Sequence, residues 1–297
     1  MLARSIAFVV ASFLMITGAL SQDGARAYHL LPEGTDIISL TATGLHTELP
    51  SGVYDVGVVT PSYRQSINVF GNAGAILIGM PIGGLSGSLM GGVIEQSTGL
   101  VQGDLFVGGV LGLVGSPSLS PMDFVQYKPG FRANLAAKLF LPTGAYDSDQ
   151  FVNLGQNRWS LQASVPISYV LADSMIDPEL MTFEIVPFVQ IFGDNEDTPG
   201  PITVTSQEPI WGLEGHITRN FSPTVWASLD GAYIAGGETS FDGVAQGDAL
   251  ETLALGATLG LSLSPSVALR LSYEEFVYSS DPDTAARGFK ATSSFLF

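Results

Sequence analysis

Residues 158–171 read RWSLQASVPISYVL, and the reading of this stretch decides the fold. Trp159, Leu161, Ala163, Val165, Ile167, Tyr169 and Leu171 fall at every second position, with Arg158, Ser160, Gln162, Ser164, Pro166 and Ser168 between them. An extended chain sends alternate side chains to opposite faces, so this is a strand with one apolar and one polar side. On a helix, residues at i and i+2 would fall on opposite flanks and no apolar face would form. The same alternation runs through 127–141, where Phe131, Ala133, Leu135, Ala137 and Leu139 oppose Arg132, Asn134 and Lys138, and again through 249–263 and 266–279. Strands of globular proteins usually end near five or six residues. These runs are longer and match the length of a tilted membrane-spanning strand, with small and charged side chains on a face suited to a wet lumen. The expected fold is therefore all-β: a transmembrane antiparallel β-barrel of the bacterial outer membrane. Twelve strands are expected, at 50–62, 65–82, 86–97, 101–113, 127–141, 158–171, 180–193, 206–218, 224–235, 249–263, 266–279 and 287–297. Pro166, Pro187 and Pro209 lack a ladder donor, so bulges or strand ends are expected near them.

Working outward, the composition agrees. The 297-residue chain is 46% apolar and 13% charged with a mean hydropathy of +0.33, too apolar for a disordered chain. Acids outnumber bases 28 to 11, for a formal charge of −17, which argues against nucleic acid as a partner. Cysteine is absent and only His29, His46 and His216 are present, so thiolate or multi-histidine metal sites are not expected. No phosphate-binding loop, dinucleotide glycine motif or metalloprotease motif occurs. A chain without cofactor, metal or catalytic residues is expected, not an enzyme. His216 reads as a lumen histidine bonded to a carboxylate in preference to a catalytic base.

The first segment reads as an address. Arg4 precedes an apolar run from Ile6 to Leu20, too short for a spanning helix, and Ala25-Arg26-Ala27 offers small residues for cleavage. A signal peptide over 1–27 and a barrel over 28–297 are expected, with outer-membrane localisation after export.

An even strand number puts both barrel ends on the periplasmic side, with short turns at 219–223 and 264–265 and long outer loops at 142–157, 194–205, 236–248 and 280–286. Those outer loops carry Asp147, Asp149, Asp194, Glu196, Asp197, Glu238, Asp242, Asp248, Asp281 and Asp283 and no base. Such a rim either gathers divalent cations that bridge to lipopolysaccharide or simply keeps the loops soluble. The expected lumen side chains are Arg132, Lys138, Arg158, Glu184, Glu208, Glu214, His216, Asp230, Arg270, Glu274 and Lys290. Mixed signs in a narrow space should pair, sealing the barrel or lining a route through it.

The stretches Pro142-Thr143-Gly144-Ala145-Tyr146-Asp147 and Asn153-Leu154-Gly155-Gln156-Asn157-Arg158-Trp159 resemble the signature of the phenol MetA degradation family, outer-membrane transporters named for the meta pathway of phenol degradation. Supporting pieces are Gly71 with Pro81, Gly103-Asp104, Gln207-Glu208-Pro209, His216 and Gly236-Gly237, so the resemblance spans roughly 66–263. It implies a porin-like barrel passing aromatic or other small hydrophobic solutes. The reading from the residues adds that Gly144 and Gly155 permit sharp turns while Asn153 and Asn157 cap backbone groups. The loop from Pro142 to Asn157 is thus expected to fold inward as a constriction over Arg158, which an inward carboxylate would hold. A terminal aromatic, Phe297, resembles the signal read by the barrel-assembly machinery. The leading expectation is a channel for hydrophobic or aromatic solutes; the alternative is a non-conducting structural or adhesive barrel acting through its acidic loops.

Overall fold

The computed structural model describes residues 23–50, 52–89, 92–198 and 200–297. Twelve antiparallel strands close into a barrel: β1 (Asp36–Leu49), β2 (Gly52–Val69), β3 (72–89), β4 (94–114), β5 (Phe131–Phe140), β6 (160–171), β7 (Met181–Phe192), β8 (Ile210–Ser222), β9 (Val225–Gly236), β10 (Leu250–Ser264), β11 (Val267–Ser279) and β12 (Ala285–Leu296). Each pairs with its chain neighbours, and β12 returns to β1 in register from Ile37–Leu296 to Glu48–Ala285. Closure leaves the barrel wall without an edge strand, which a lipid environment requires.

Three strands are interrupted. β3 breaks at Met80-Pro81 between Asn72–Gly79 and Ile82–Leu89, and β4 breaks around 98–100 and 103–105. β6 breaks at Val165-Pro166, one of the proline positions expected to disturb the ladder. Pro209 lies just before β8, again as expected, whereas Pro187 stays inside β7 without interrupting it.

The strand number matches the expectation, but the first four strands are corrected. The chain already pairs from Asp36, and the turns expected at 63–64 and 83–85 lie within β2 and β3. The β2–β3 turn falls instead at Phe70-Gly71, whose φ angles of 53° and 88° give the two positive values of a type I′ hairpin. Gly83, within one of those expected turns, sits against β2, where a Cβ would come within 2.1 Å of the Gly57 carbonyl oxygen, so it permits close strand approach and not a turn.

One end of the barrel carries the tight connections Phe70-Gly71, 223–224 and 265–266 together with the start of β1 and the end of β12; we call it the inner end. Its longest connection, 115–130, holds a short helix α1 (Pro121–Gln126), with Ser120 as N-cap accepting from Asp123 N and Pro121 in the first turn. The outer end carries long loops at 141–159, 193–209 and 237–249; the last two are joined by a small sheet of Thr205–Gln207, Thr239–Phe241 and Val244–Ala245. Around the outside, apolar side chains such as Leu40, Ile76, Leu135, Tyr169, Leu229 and Leu255 stand exposed, the band that hydrocarbon would cover.

Candidate functional site

The lumen has two unlike halves. Near the outer end, Leu45 and Leu49 of β1, Tyr54 of β2, Leu85 of β3 and Ala286 of β12 form one apolar cluster together with Val152. Phe188 of β7, Ile210 of β8 and Ile234 of β9 form a second, and Leu250 of β10 and Phe276 of β11 pack against both. Val152 comes from the loop between β5 and β6 and is 1% exposed, so that loop reaches across the mouth to the far wall.

The loop is built to do this. Gly144 and Gly155 bring its two ends into backbone contact: a Cβ on Gly144 would lie 2.7 Å from the Gly155 Cα. Asp104, in the β4 break, accepts from Gly144 N at 2.9 Å and from Gln156 N at 2.8 Å, one bond per carboxylate oxygen. Thr143 Oγ1 accepts from Leu105 N, and Asn153 Oδ1 accepts from Asp147 N while its amide donates back to the Asp147 and Gln150 carbonyls. Asn157 (φ 52°) donates to Asn195 Oδ1, and the Tyr146 hydroxyl donates to the Asp197 carbonyl, tying the loop to its neighbour. Pro142 lies at the loop's start, and Trp159 at its end points outward, about half exposed.

Arg158 sits below this loop, buried, with its guanidinium carbon 4.6 Å from the centre of the Phe192 ring. The expected inward carboxylate partner is corrected: Nη2 donates to Gln207 Oε1, and Nε and Nη1 have no partner among the described residues. Burial brings its pKa down to about 10, opposed by the nearby charges of Asp194 and Asp104, so it stays protonated at neutral pH.

Deeper in, the wall turns ionic. His216 of β8 faces Asp230 of β9 at 2.7 Å through Nδ1 and Glu214 at 3.4 Å through Nε2. Asp230 also accepts from Ser228 and Thr258, so its lone pairs are well used. Ser228 therefore bonds the acid and not the imidazole, unlike a nucleophile–base pair. Arg132, Glu184, Arg270, Glu274 and Lys290 surround this group.

The chain ahead of β1 runs up into this half and fills it. Asp23 pairs with Lys138 and accepts from the Tyr28 hydroxyl. Arg26 N donates to Glu184 Oε2, its side chain donates to Thr218 and Asn220, and its guanidinium lies 4.4 Å from the centre of the Trp226 ring. The carbonyls of Ala25, Ala27 and Tyr28 accept from Arg270, Arg64 and Arg132. His29 is enclosed beside Arg132, Asn134, Thr182 and Glu184, and burial together with Arg26, Arg132 and Arg64 holds its pKa well below the usual histidine value.

Of the lumen residues expected from sequence, Glu208 is the exception and is corrected: it is exposed above the barrel, because the Glu208-Pro209 pair precedes β8 and shifts the alternation, leaving Gln207 buried beside Arg158. Arg64 was missed because it was placed in a turn, and Asp104 because a strand break conceals it. The lumenal role of 23–30 carries no periodic signal at all.

A family model described as "Putative MetA-pathway of phenol degradation" matches residues 35–285. Among solved structures, the COG4313 outer membrane channel from Pseudomonas putida F1 superposes with a TM-score of 0.76 at 18% identity, covering 93% of this chain and 100% of that one. The translocator domain of the autotransporter NalP from Neisseria meningitidis gives a TM-score of 0.53 at 8% identity, covering 97% of each chain. No curated relative matches.

Proposed function

We propose a function from one premise: the chain belongs to the phenol MetA degradation family, whose model matches most of its length. It acts as an outer-membrane channel that takes up small hydrophobic or aromatic solutes. The carrying observation is the apolar outer half of the lumen. Two clusters joined by Leu250 and Phe276 offer a solute contacts as apolar as those they make with each other. The loop from Pro142 to Asn157 narrows the entrance, and Arg158, with two nitrogens beside Phe192 that no described residue meets, faces a ring or an acceptor oxygen. A cation–π contact of that kind contributes about 0.5–2 kcal/mol, enough to bias passage without trapping the solute.

Export by a leader, insertion by the barrel-assembly machinery through the end of β12, and cation-bridged lipopolysaccharide at the acidic rim complete the proposal. For the rim, no three acidic or histidine side chains converge as metal ligands among the described residues, so lipid phosphates would complete any cation site.

The test is uptake by liposomes carrying the purified protein. A small neutral aromatic should enter faster than a sugar of similar size, and Arg158→Ala should change the aromatic rate alone. Equal entry of both, or of neither, would refute the reading. No entry of either would favour the second one, a non-conducting barrel, for which the filled inner half and the hydrogen-bonded outer sheet are the supporting observations.

A further inference from the structure

Two places in the sequence offer small residues to a leader peptidase: Ala25-Arg26-Ala27, and Ala19-Leu20-Ser21 at the end of the apolar run. Apolar-run length and residue size do not separate them. The folded lumen does. Cleavage after Ala27 would remove five residues that the structure uses. Asp23 is the acid paired with Lys138, and Ala25 is fully buried. Arg26 satisfies Glu184 through its backbone and Thr218, Asn220 and Trp226 through its side chain. The Ala25 and Ala27 carbonyls are the acceptors of Arg270 and Arg64. A chain beginning at Tyr28 would also bring a new ammonium group close to Arg132, which already bonds the Tyr28 carbonyl. Lys138 would then lose its carboxylate with Asp23, and Glu184 its donor with Arg26, leaving both lumen charges without those partners.

We propose that the leader is cut upstream of Asp23, after Ser21, so that the exported chain begins at Gln22 and keeps residues 23–27 as the cross-brace of the inner lumen. The sequence at the cut fits: Ala19 and Ser21 stand three and one residues before it, and Gln22-Asp23 opens the mature chain. Ala25-Arg26-Ala27 is then part of the folded barrel and not a recognition site.

The experiment is intact-mass measurement and N-terminal sequencing of the full chain purified from outer membranes. The expected start is Gln22, with or without the ammonia loss that an N-terminal glutamine undergoes. A start at Tyr28, at any residue after Asp23, or at Met1 overturns the proposal. Leader removal precedes barrel folding, so a second arm is independent of whether a variant folds. In a pulse-chase, Ser21→Phe should raise the precursor fraction severalfold, while Ala27→Phe should be processed at the wild-type rate. The reverse pattern overturns it. Neither result bears on whether the barrel conducts aromatic solutes.

Discussion

The outer and inner halves of one lumen are held together by different physics. The outer half is a set of apolar surfaces matched in shape, and such surfaces lose little when a solute of similar polarity takes the place of a neighbour. The inner half is a set of charges tied to named partners: Asp230 to His216, Ser228 and Thr258, Glu184 to Arg26, Asp23 to Lys138. Displacing one partner there strands another in a low dielectric. Only the outer half can yield room to an apolar molecule cheaply, and only the inner half can hold the chain ahead of β1 in a single pose.

The sharpest way to break the contrast is Asp230→Ala. It leaves His216 between Glu214 and an empty position, and losing one member of a buried ion pair should cost about 3–5 kcal/mol, read as a lower urea midpoint for unfolding in lipid vesicles. In the outer half, Leu85→Ala should cost about 2–5 kcal/mol by leaving a cavity, yet it should speed aromatic uptake because the new space is apolar. If Leu85→Ala slows uptake, the outer half is a packed cap and not a route. Unhooking the loop is a smaller change. Asp104→Ala removes two carboxylate–amide bonds, but the freed loop amides can turn to water at the mouth, so the urea midpoint should fall by less than for Leu85→Ala while single-channel conductance rises.

The smallest effect concerns pH. His29 is held neutral by burial beside Arg26, Arg132 and Arg64, with Glu184 lining the same cavity. Its folded pKa lies below its unfolded value, so docking of the segment is at full strength above about pH 6.5 and weakens as pH falls below it, by at most about 1.4 kcal/mol per pH unit. Conductance should rise on acidification from pH 7 to 5, and His29→Gln should flatten that response. A rise of equal size in the variant would place the titration elsewhere.

Much of the barrel was legible because lipid and water impose opposite demands on alternate residues. Residues 131–141, 158–171 and 250–279 obey that rule almost without exception. β1 was not legible: its inward positions are Ser39, Thr41, Thr43 and Thr47, but its outward side dwindles to Ala42 and Gly44 at mid-strand, so the contrast between faces fades. That His216 meets a carboxylate was expected from alternation plus the expense of a lone buried charge; that Lys138, Arg132 and Arg270 meet Asp23 and the carbonyls of Tyr28 and Ala25 was not. The partner of Arg158 did not, since the Glu208-Pro209 irregularity exchanges an acid for Gln207. The inward loop was anticipated from Gly144, Gly155 and the asparagines. The carboxylate that pins it, Asp104, is distant in sequence, and only the fold brings it near.

At the seam between β1 and β12, Asp36 exchanges both backbone hydrogen bonds with Phe297, at 2.9 and 3.0 Å. The first strand therefore lacks one of its two neighbours until the last residues have been synthesised. Hairpins such as β8–β9 can form from local chain, but the closing pair must find each other across nearly the whole sequence, and rates fall as such separations grow. Barrel closure therefore waits for β12, whatever local hairpins form before it. Until that pair meets, the open sheet keeps two unpaired edges, the form most exposed to association with other chains.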